Sequence, residues 1–77
     1  MAMPNYKQFA KEINELPQIL EINIYEKLKH IIIKSHSIEY DIFSNIIGIA
    51  EGNNFELISI SAENNELVII FKDKTLI

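Results

Sequence analysis

The strongest constraint on the fold is a β-hairpin signal in the last third of the chain. Residues 63–66 read Glu-Asn-Asn-Glu, and a two-residue Asn-Asn turn tolerates the positive φ that tight hairpins require. The runs on both sides alternate in a strand-like pattern. We expect one face of this hairpin to cover the helices, with three pairs on it: Ala62–Leu67, Ile60–Ile69 and Ile58–Phe71.

The opposite face of the predicted hairpin is too apolar for a fully solvated surface and too polar for a core. It carries Leu57, Val68 and Ile70 beside two serines, and the register places Leu57 opposite Lys72. We predict that these three apolar side chains form a contact for another protein.

Helical spacing of apolar residues predicts helices in the first half of the chain. Asn5 is placed to cap the first helix, with Gln8 three residues on in the manner of a capping box. Pro17 marks the boundary, because it disfavours helical geometry at the residue before it. A second helix is predicted from 18 to about 34, because period-two alternation breaks at Glu26.

Ile22 and Ile33 are the weak point of the second helix. They lie on the face opposite its apolar stripe, and three successive isoleucines at 31–33 also favour β structure. Two interpretations stay open: either Ile22 and Ile33 are outward-facing contacts for a partner, or the segment is not helical.

Residues 37–50 are ambiguous. Ser37 could cap a third helix with Asp41 in its first turn, whereas residues 45–50 could form a strand paired with 58–60 through a turn at Asn53 and Asn54. Part helix and part strand is the prediction. The fold class is therefore α+β, with two or three N-terminal helices packed on a C-terminal antiparallel β-hairpin or three-stranded meander, in a single domain spanning 1–77.

The composition disfavours several kinds of chemistry. The chain has no Cys, so it lacks disulfides and thiolate metal sites. Its 2 glycines cannot build a phosphate-cradling loop. His30 and His36 lack metal-ligand spacing, and the acids near His36 are better explained by helix capping than by catalysis. We expect no cofactor, no metal and no enzymatic activity.

The charge balance bears on the partner. The chain has 7 Lys, no Arg and 11 acidic residues, for a net charge of −4, which opposes binding to phosphate backbones. Acidic side chains, among them Glu51, Glu63 and Glu66, could gather near the strand ends and face a basic protein. No run approaches the roughly 20 apolar residues that span a bilayer, so we expect no membrane partner and a cytoplasmic location.

The 17 isoleucines exceed what so small a core needs, which suggests a protein partner or self-association; AT-rich coding would explain them equally well. The leading hypothesis is a small non-enzymatic protein-binding module, of the inhibitor or immunity type, that blocks a larger protein partner. One alternative is a winged-helix-like DNA-binding regulator with residues 38–50 as recognition helix and 63–66 as wing. Another is a homodimeric structural protein. The candidate contact residues are Leu57, Val68, Ile70, Ile22, Ile33, Glu51, Glu63 and Glu66.

Overall fold

The computed structural model describes residues 5–16, 19–36 and 40–74, which form two helices and four strands. The four strands make one antiparallel sheet in the order β1-β2-β4-β3, and a 3-10 turn at Glu26–Leu28 joins the first two. The elements in chain order are α1 (Tyr6–Asn14), β1 (Ile19–Tyr25), β2 (His30–Ser35), α2 (Tyr40–Gly52), β3 (Phe55–Glu63) and β4 (Glu66–Asp73).

The predicted order, helices first and a hairpin or meander last, is wrong. The segment predicted as a second helix forms the hairpin β1–β2 instead. Its isoleucines at 31–33 satisfy both a helical and a strand pattern, and β-branched side chains pack well on a pleated sheet. Lys29 takes the left-handed conformation, φ 62°, and ends the 3-10 turn, so the break at Glu26 is a connection between two strands.

The mixed prediction for residues 37–50 is also wrong in its second part. Residues 40–52 form one continuous helix, α2, and its Ile46 and Ala50 are buried. The helical spacing of the apolar residues therefore indicated the correct structure for residues 45–50, and the strand pattern did not. Ser37, the predicted cap, lies outside the described residues. The element order on which the winged-helix alternative rested, with helices preceding all the strands, is not found.

The predicted cap of the first helix is confirmed. The Asn5 side chain accepts a hydrogen bond from the backbone N–H of Gln8 at 3.0 Å, satisfying one of the free donors at the helix start. The backbone N–H of Asn5 donates to the Asn53 carbonyl at 3.3 Å, so the start of α1 is tied to the end of α2. The Pro17 boundary lies outside the described residues.

The core lies between both helices and one face of the sheet, here called the helix-covered face. Directly opposed residues of antiparallel strands share a face, and two rows cross this one: Ile24–Ile31–Phe71–Leu57 and Ile22–Ile33–Ile69–Ile60. The middle members of both rows are fully buried, whereas three of the four end members are exposed. The helices therefore cover the centre of the sheet and leave its edges open. The core consists of Phe9, Ile13, Ile31, Ile33, Ile46, Ala50, Phe55, Ile69 and Phe71.

The C-terminal hairpin is confirmed at its turn, where Asn64 and Asn65 have φ values of 51° and 66°. The predicted register holds from the turn back to Ser59, which lies opposite Ile70. A β-bulge between Leu57 and Ser59 then shifts the pairing, so that Leu57 lies opposite Phe71 and not Lys72, and the predicted Ile58–Phe71 pair is not formed.

The bulge has a clear physical reason. An unbroken register would set Glu56 against Asp73, two like charges. The extra residue instead brings Glu56 opposite Lys72, with an ion pair of 3.0 Å, and moves Phe55 onto the helix-covered face, where it is fully buried. The bulge thereby replaces a repulsion with an attraction and adds a large side chain to the core.

We predict that Ile33→Ala lowers the free energy of unfolding by about 2–5 kcal/mol, because it removes a fully buried side chain. The matched control is Ile58→Ala on β3, where the isoleucine is exposed and the loss should stay near 0.5 kcal/mol. Urea unfolding followed by circular dichroism measures both. Equal losses in the two variants would contradict this placement of the core.

Candidate protein-interaction surface

The face of the sheet away from the helices, here called the outer face, carries a small apolar centre within a polar frame. Ile32, Ile70 and Val68 lie on the two central strands and are only half-buried. They do not belong to the core cluster or to the side chains packed on it. Three rows cross this face: Tyr25–His30–Lys72–Glu56, Asn23–Ile32–Ile70–Ser59 and Glu21–Lys34–Val68–Ser61.

The contact predicted from Leu57, Val68 and Ile70 is divided between two surfaces. Val68 and Ile70 lie on the outer face, as the hairpin register implied. Leu57 lies on the helix-covered face opposite Phe71, because of the bulge, and it is 39% exposed at the rim of that face. The three side chains therefore do not form one flat patch.

Ile22 and Ile33 lie opposite each other across the β1–β2 ladder. Ile33 is fully buried in the core, and Ile22 packs partly buried against it. Of the two interpretations left open by the sequence, the structure supports the one in which this segment is not helical. Neither side chain belongs to the outer face.

The three candidate acids do not gather in one place. Glu51, at the end of α2, pairs with Lys74. Glu63 lies directly opposite Glu66 beside the hairpin turn, and within the described part of the chain neither carboxylate forms an ion pair. The two groups are separated by the length of β3, a 9-residue strand that spans about 30 Å.

The outer edge of β3, here called the β3 edge and comprising residues 57–62, pairs with no other strand in the described part of the chain. The strand is outermost in the sheet, and this stretch contains no charged residue. Leu57, Ile58 and Ile60 on it are 39%, 46% and 43% exposed. Ile58 and Ile60 were assigned to the buried face from the sequence, which shows the alternation of a strand but not whether a helix reaches over it.

The other edge strand, β1, is equally apolar but carries a charge near its middle. Leu20 is 45% exposed, and next to it Glu21 pairs with Lys34 at 3.5 Å. A hydrogen bond from Asn23 to Glu21, at 2.9 Å, and the charge of Lys34 lower the pKa of Glu21 below its usual value. A charge within an edge strand discourages pairing with another strand, so β3 is the less protected of the two edges.

A groove of about 350 Å³ lies between α1 and α2. Asn53 at its floor donates to Glu12 at 2.7 Å and to the Ile49 carbonyl at 2.9 Å, so these polar groups tie the two helices together. The groove is lined by Gln8, Glu12, Asn45, Gly48, Ile49, Gly52 and Asn53.

Among residues 5–16, 19–36 and 40–74, no three His, Asp or Glu side chains are grouped so as to hold a metal ion. In the same segments, neither helix has the length and apolar character needed to span a bilayer. Comparison with protein families, curated sequences and solved structures gives no match for this chain.

Asp73 and Tyr6 allow a pH prediction. Asp73 is 1% exposed, and the Tyr6 hydroxyl donates to it at 3.4 Å. Burial, followed by the charge and hydrogen bond of Asp73, raises the pKa of Tyr6 above 10.0. The folded state thus holds the phenolic proton more tightly than the unfolded state, so stability is retained below about pH 10 and falls as the pH rises through the folded-state pKa.

We therefore expect Tyr6→Phe to be less stable than wild type at neutral pH, by about 1 kcal/mol for the lost hydrogen bond. As the pH rises above about 10, the variant should lose less stability than wild type. Urea unfolding at each pH measures both differences. If the free energy of unfolding falls equally with rising pH in wild type and Tyr6→Phe, ionisation of Tyr6 does not contribute to the alkaline loss of stability.

Another prediction concerns Glu63 and Glu66, which lie opposite each other beside the hairpin turn. Glu66→Lys replaces a repulsion across the ladder with an attraction to Glu63, so we expect the free energy of unfolding to rise by about 0.2–1 kcal/mol at low salt. The gain should shrink at high salt, because exposed charges are screened. Glu56→Gln is the opposite control, since it removes the ion pair with Lys72 and should destabilise slightly. A loss of stability in Glu66→Lys would contradict a repulsion between Glu63 and Glu66 in the folded protein.

Proposed function

We propose that this chain is a small non-enzymatic protein-binding module that docks its β3 edge on a larger protein, as an inhibitor or immunity-type factor does. The observation that carries the proposal is the β3 edge itself. On this outermost strand, the backbone groups that point away from β4 pair with no other described strand, and the edge adds three exposed large apolar side chains and no charge. Such an edge binds other chains unless it is covered or charged.

The outer face supports the proposal because it adjoins the β3 edge. Ser59 and Ser61 of β3 lie next to Ile70 and Val68, so a partner reaching around the edge meets small polar side chains and then the half-buried apolar centre. Interfaces commonly have this arrangement, with an apolar contact surrounded by a polar rim. Val68 and Ile70 thus remain candidate contact residues, now at the margin of the site.

The charges favour a protein over DNA. Helix α2 carries Asp41 and Glu51 and no Lys or Arg. Lys34 and Lys72, which lie on the outer face, are both paired with glutamates. A phosphate backbone would meet few free cations on these elements. We therefore rank a protein partner above nucleic acid.

The test is affinity capture from a lysate of the producing cell with three baits: wild type, Ile60→Lys and Leu20→Lys. Both substitutions place a lysine on an edge strand at a similarly exposed isoleucine or leucine, and a lysine stem can cover the same apolar neighbours. We expect a stoichiometric protein to be held by wild type and Leu20→Lys and lost from Ile60→Lys. Thermal unfolding should confirm that all three baits are folded.

Equal capture by the three baits would contradict a role for the β3 edge. Recovery of nucleic acid that is lost on nuclease treatment or at high salt would replace this proposal with the DNA-binding alternative. Light scattering adds the third possibility: a doubled mass independent of concentration would favour the homodimeric structural protein.

A further inference from the structure

We infer that the partner contributes an extended segment that pairs antiparallel with β3 as a fifth strand, with alternating apolar and polar side chains and a basic residue opposite Glu63. This inference rests on the proposed function and names the chemistry of the partner. It follows from three properties of the edge: its backbone, its two faces and its charges.

The backbone identifies the kind of occupant. An edge strand presents a row of N–H and C=O groups that another strand can satisfy in full, and a helix or loop only in part. Strand addition of this kind is an established mode of peptide recognition. The bulge disturbs the ladder only between Leu57 and Ser59, and the pairing of β3 with β4 is regular from Ser59 to Glu63. A regular stretch of five residues is therefore open to pairing.

The two faces specify the side-chain pattern of the occupant. On the helix-covered face the regular stretch presents Ile60 and Ala62, and on the outer face it presents Ser59 and Ser61. Opposed residues contact each other across a ladder. A fifth strand therefore needs apolar residues opposite Ile60 and Ala62, and small polar residues opposite the two serines.

The charges distinguish a foreign segment from a second copy of this chain. Glu63 already faces Glu66 without a cation among the described residues, so a Lys or Arg on the added strand would relieve a repulsion. The stretch that a second copy would present is itself flanked by Glu56 and Glu63, and each copy has a net charge of −4. Self-pairing would add like charges to both ends of the ladder.

The orientation follows from the sheet. All of its present ladders are antiparallel, and antiparallel pairing is somewhat more stable per residue. The end of β3 then lies against the start of the added strand. The basic residue is therefore expected on the N-terminal side of the partner's apolar–polar alternation.

The experiment titrates the full chain with blocked synthetic peptides and follows its amide signals by NMR. The probe is Lys followed by alternating Ile and Thr, which places Lys opposite Glu63 when it is bound antiparallel. One control has the reversed sequence, and another carries N-methyl groups on the residues whose N–H groups would face β3. We expect the probe to shift the amides of residues 59–63 and to protect those among them that point away from β4. We also expect it to bind about two- to fivefold more tightly than the reversed peptide, and to lose binding on N-methylation.

The double variant Glu63→Gln/Glu66→Gln should bind both peptides equally, which isolates the charge effect. Binding that survives N-methylation, equal binding of the probe and its reversed sequence to wild type, or no protection of residues 59–63 at millimolar probe would each overturn the inference. So would a dimer in which the β3 amides that point away from β4 are protected before any peptide is added, because a second copy would then occupy the edge.

The two proposals fail separately. If capture depends on Ile60 but the probe protects no edge amide, the protein-binding function stands and strand addition is wrong. If capture is also independent of Ile60, both are wrong.

Discussion

The packing of Phe9 against two phenylalanines of the sheet is the contact on which the rest of the structure depends. Its ring lies 4.8 Å from Phe55 and 5.4 Å from Phe71, measured between ring centroids. This contact joins the first helix of the chain to the last two strands, which no local interaction could bring together. Aromatic pairs add about 0.5–1.5 kcal/mol each beyond the area that they bury. The bulge in β3 contributes directly, because it turns Phe55 into this cluster.

Because the helices pack on the centre of the sheet, apolar side chains at its edges stay exposed. Two helices, of 9 and 13 residues, cover the middle of a four-stranded sheet, and the rows of opposed side chains are buried at β2 and β4 but open at the edges. The exposed apolar residues of this protein are therefore not scattered; many of them lie on its edge strands. The β1 edge carries the charge of Glu21, whereas residues 57–62 of the β3 edge contain no charged side chain. This difference between β1 and β3 is the basis for proposing a binding role for β3.

The sequence allowed part of the candidate site to be predicted. Val68 and Ile70 were placed correctly, because their positions follow from a turn only two residues long and from strict alternation. Leu57 was misplaced because a bulge shifts all pairing beyond it, and alternation alone carries no sign of a bulge. Ile58 and Ile60 were not predicted as exposed contact residues, because their exposure depends on how far the helices extend over the sheet. Glu51 could not be separated from Glu63 without knowing that β3 stands between them.

The sequence by itself determined the features that involve a few neighbouring residues: the Asn5 cap, the Asn64–Asn65 turn and the hairpin register next to that turn. Tertiary structure decided whether residues 19–35 form a helix or a hairpin, since their isoleucines fit both periods and pairing of β2 with β4 favours the strand. It also decided the strand order, which places β3 at an edge. The physical reason is one of range, because caps and turns depend on contacts within a few residues, whereas strand order and helix coverage depend on contacts between residues far apart in the chain.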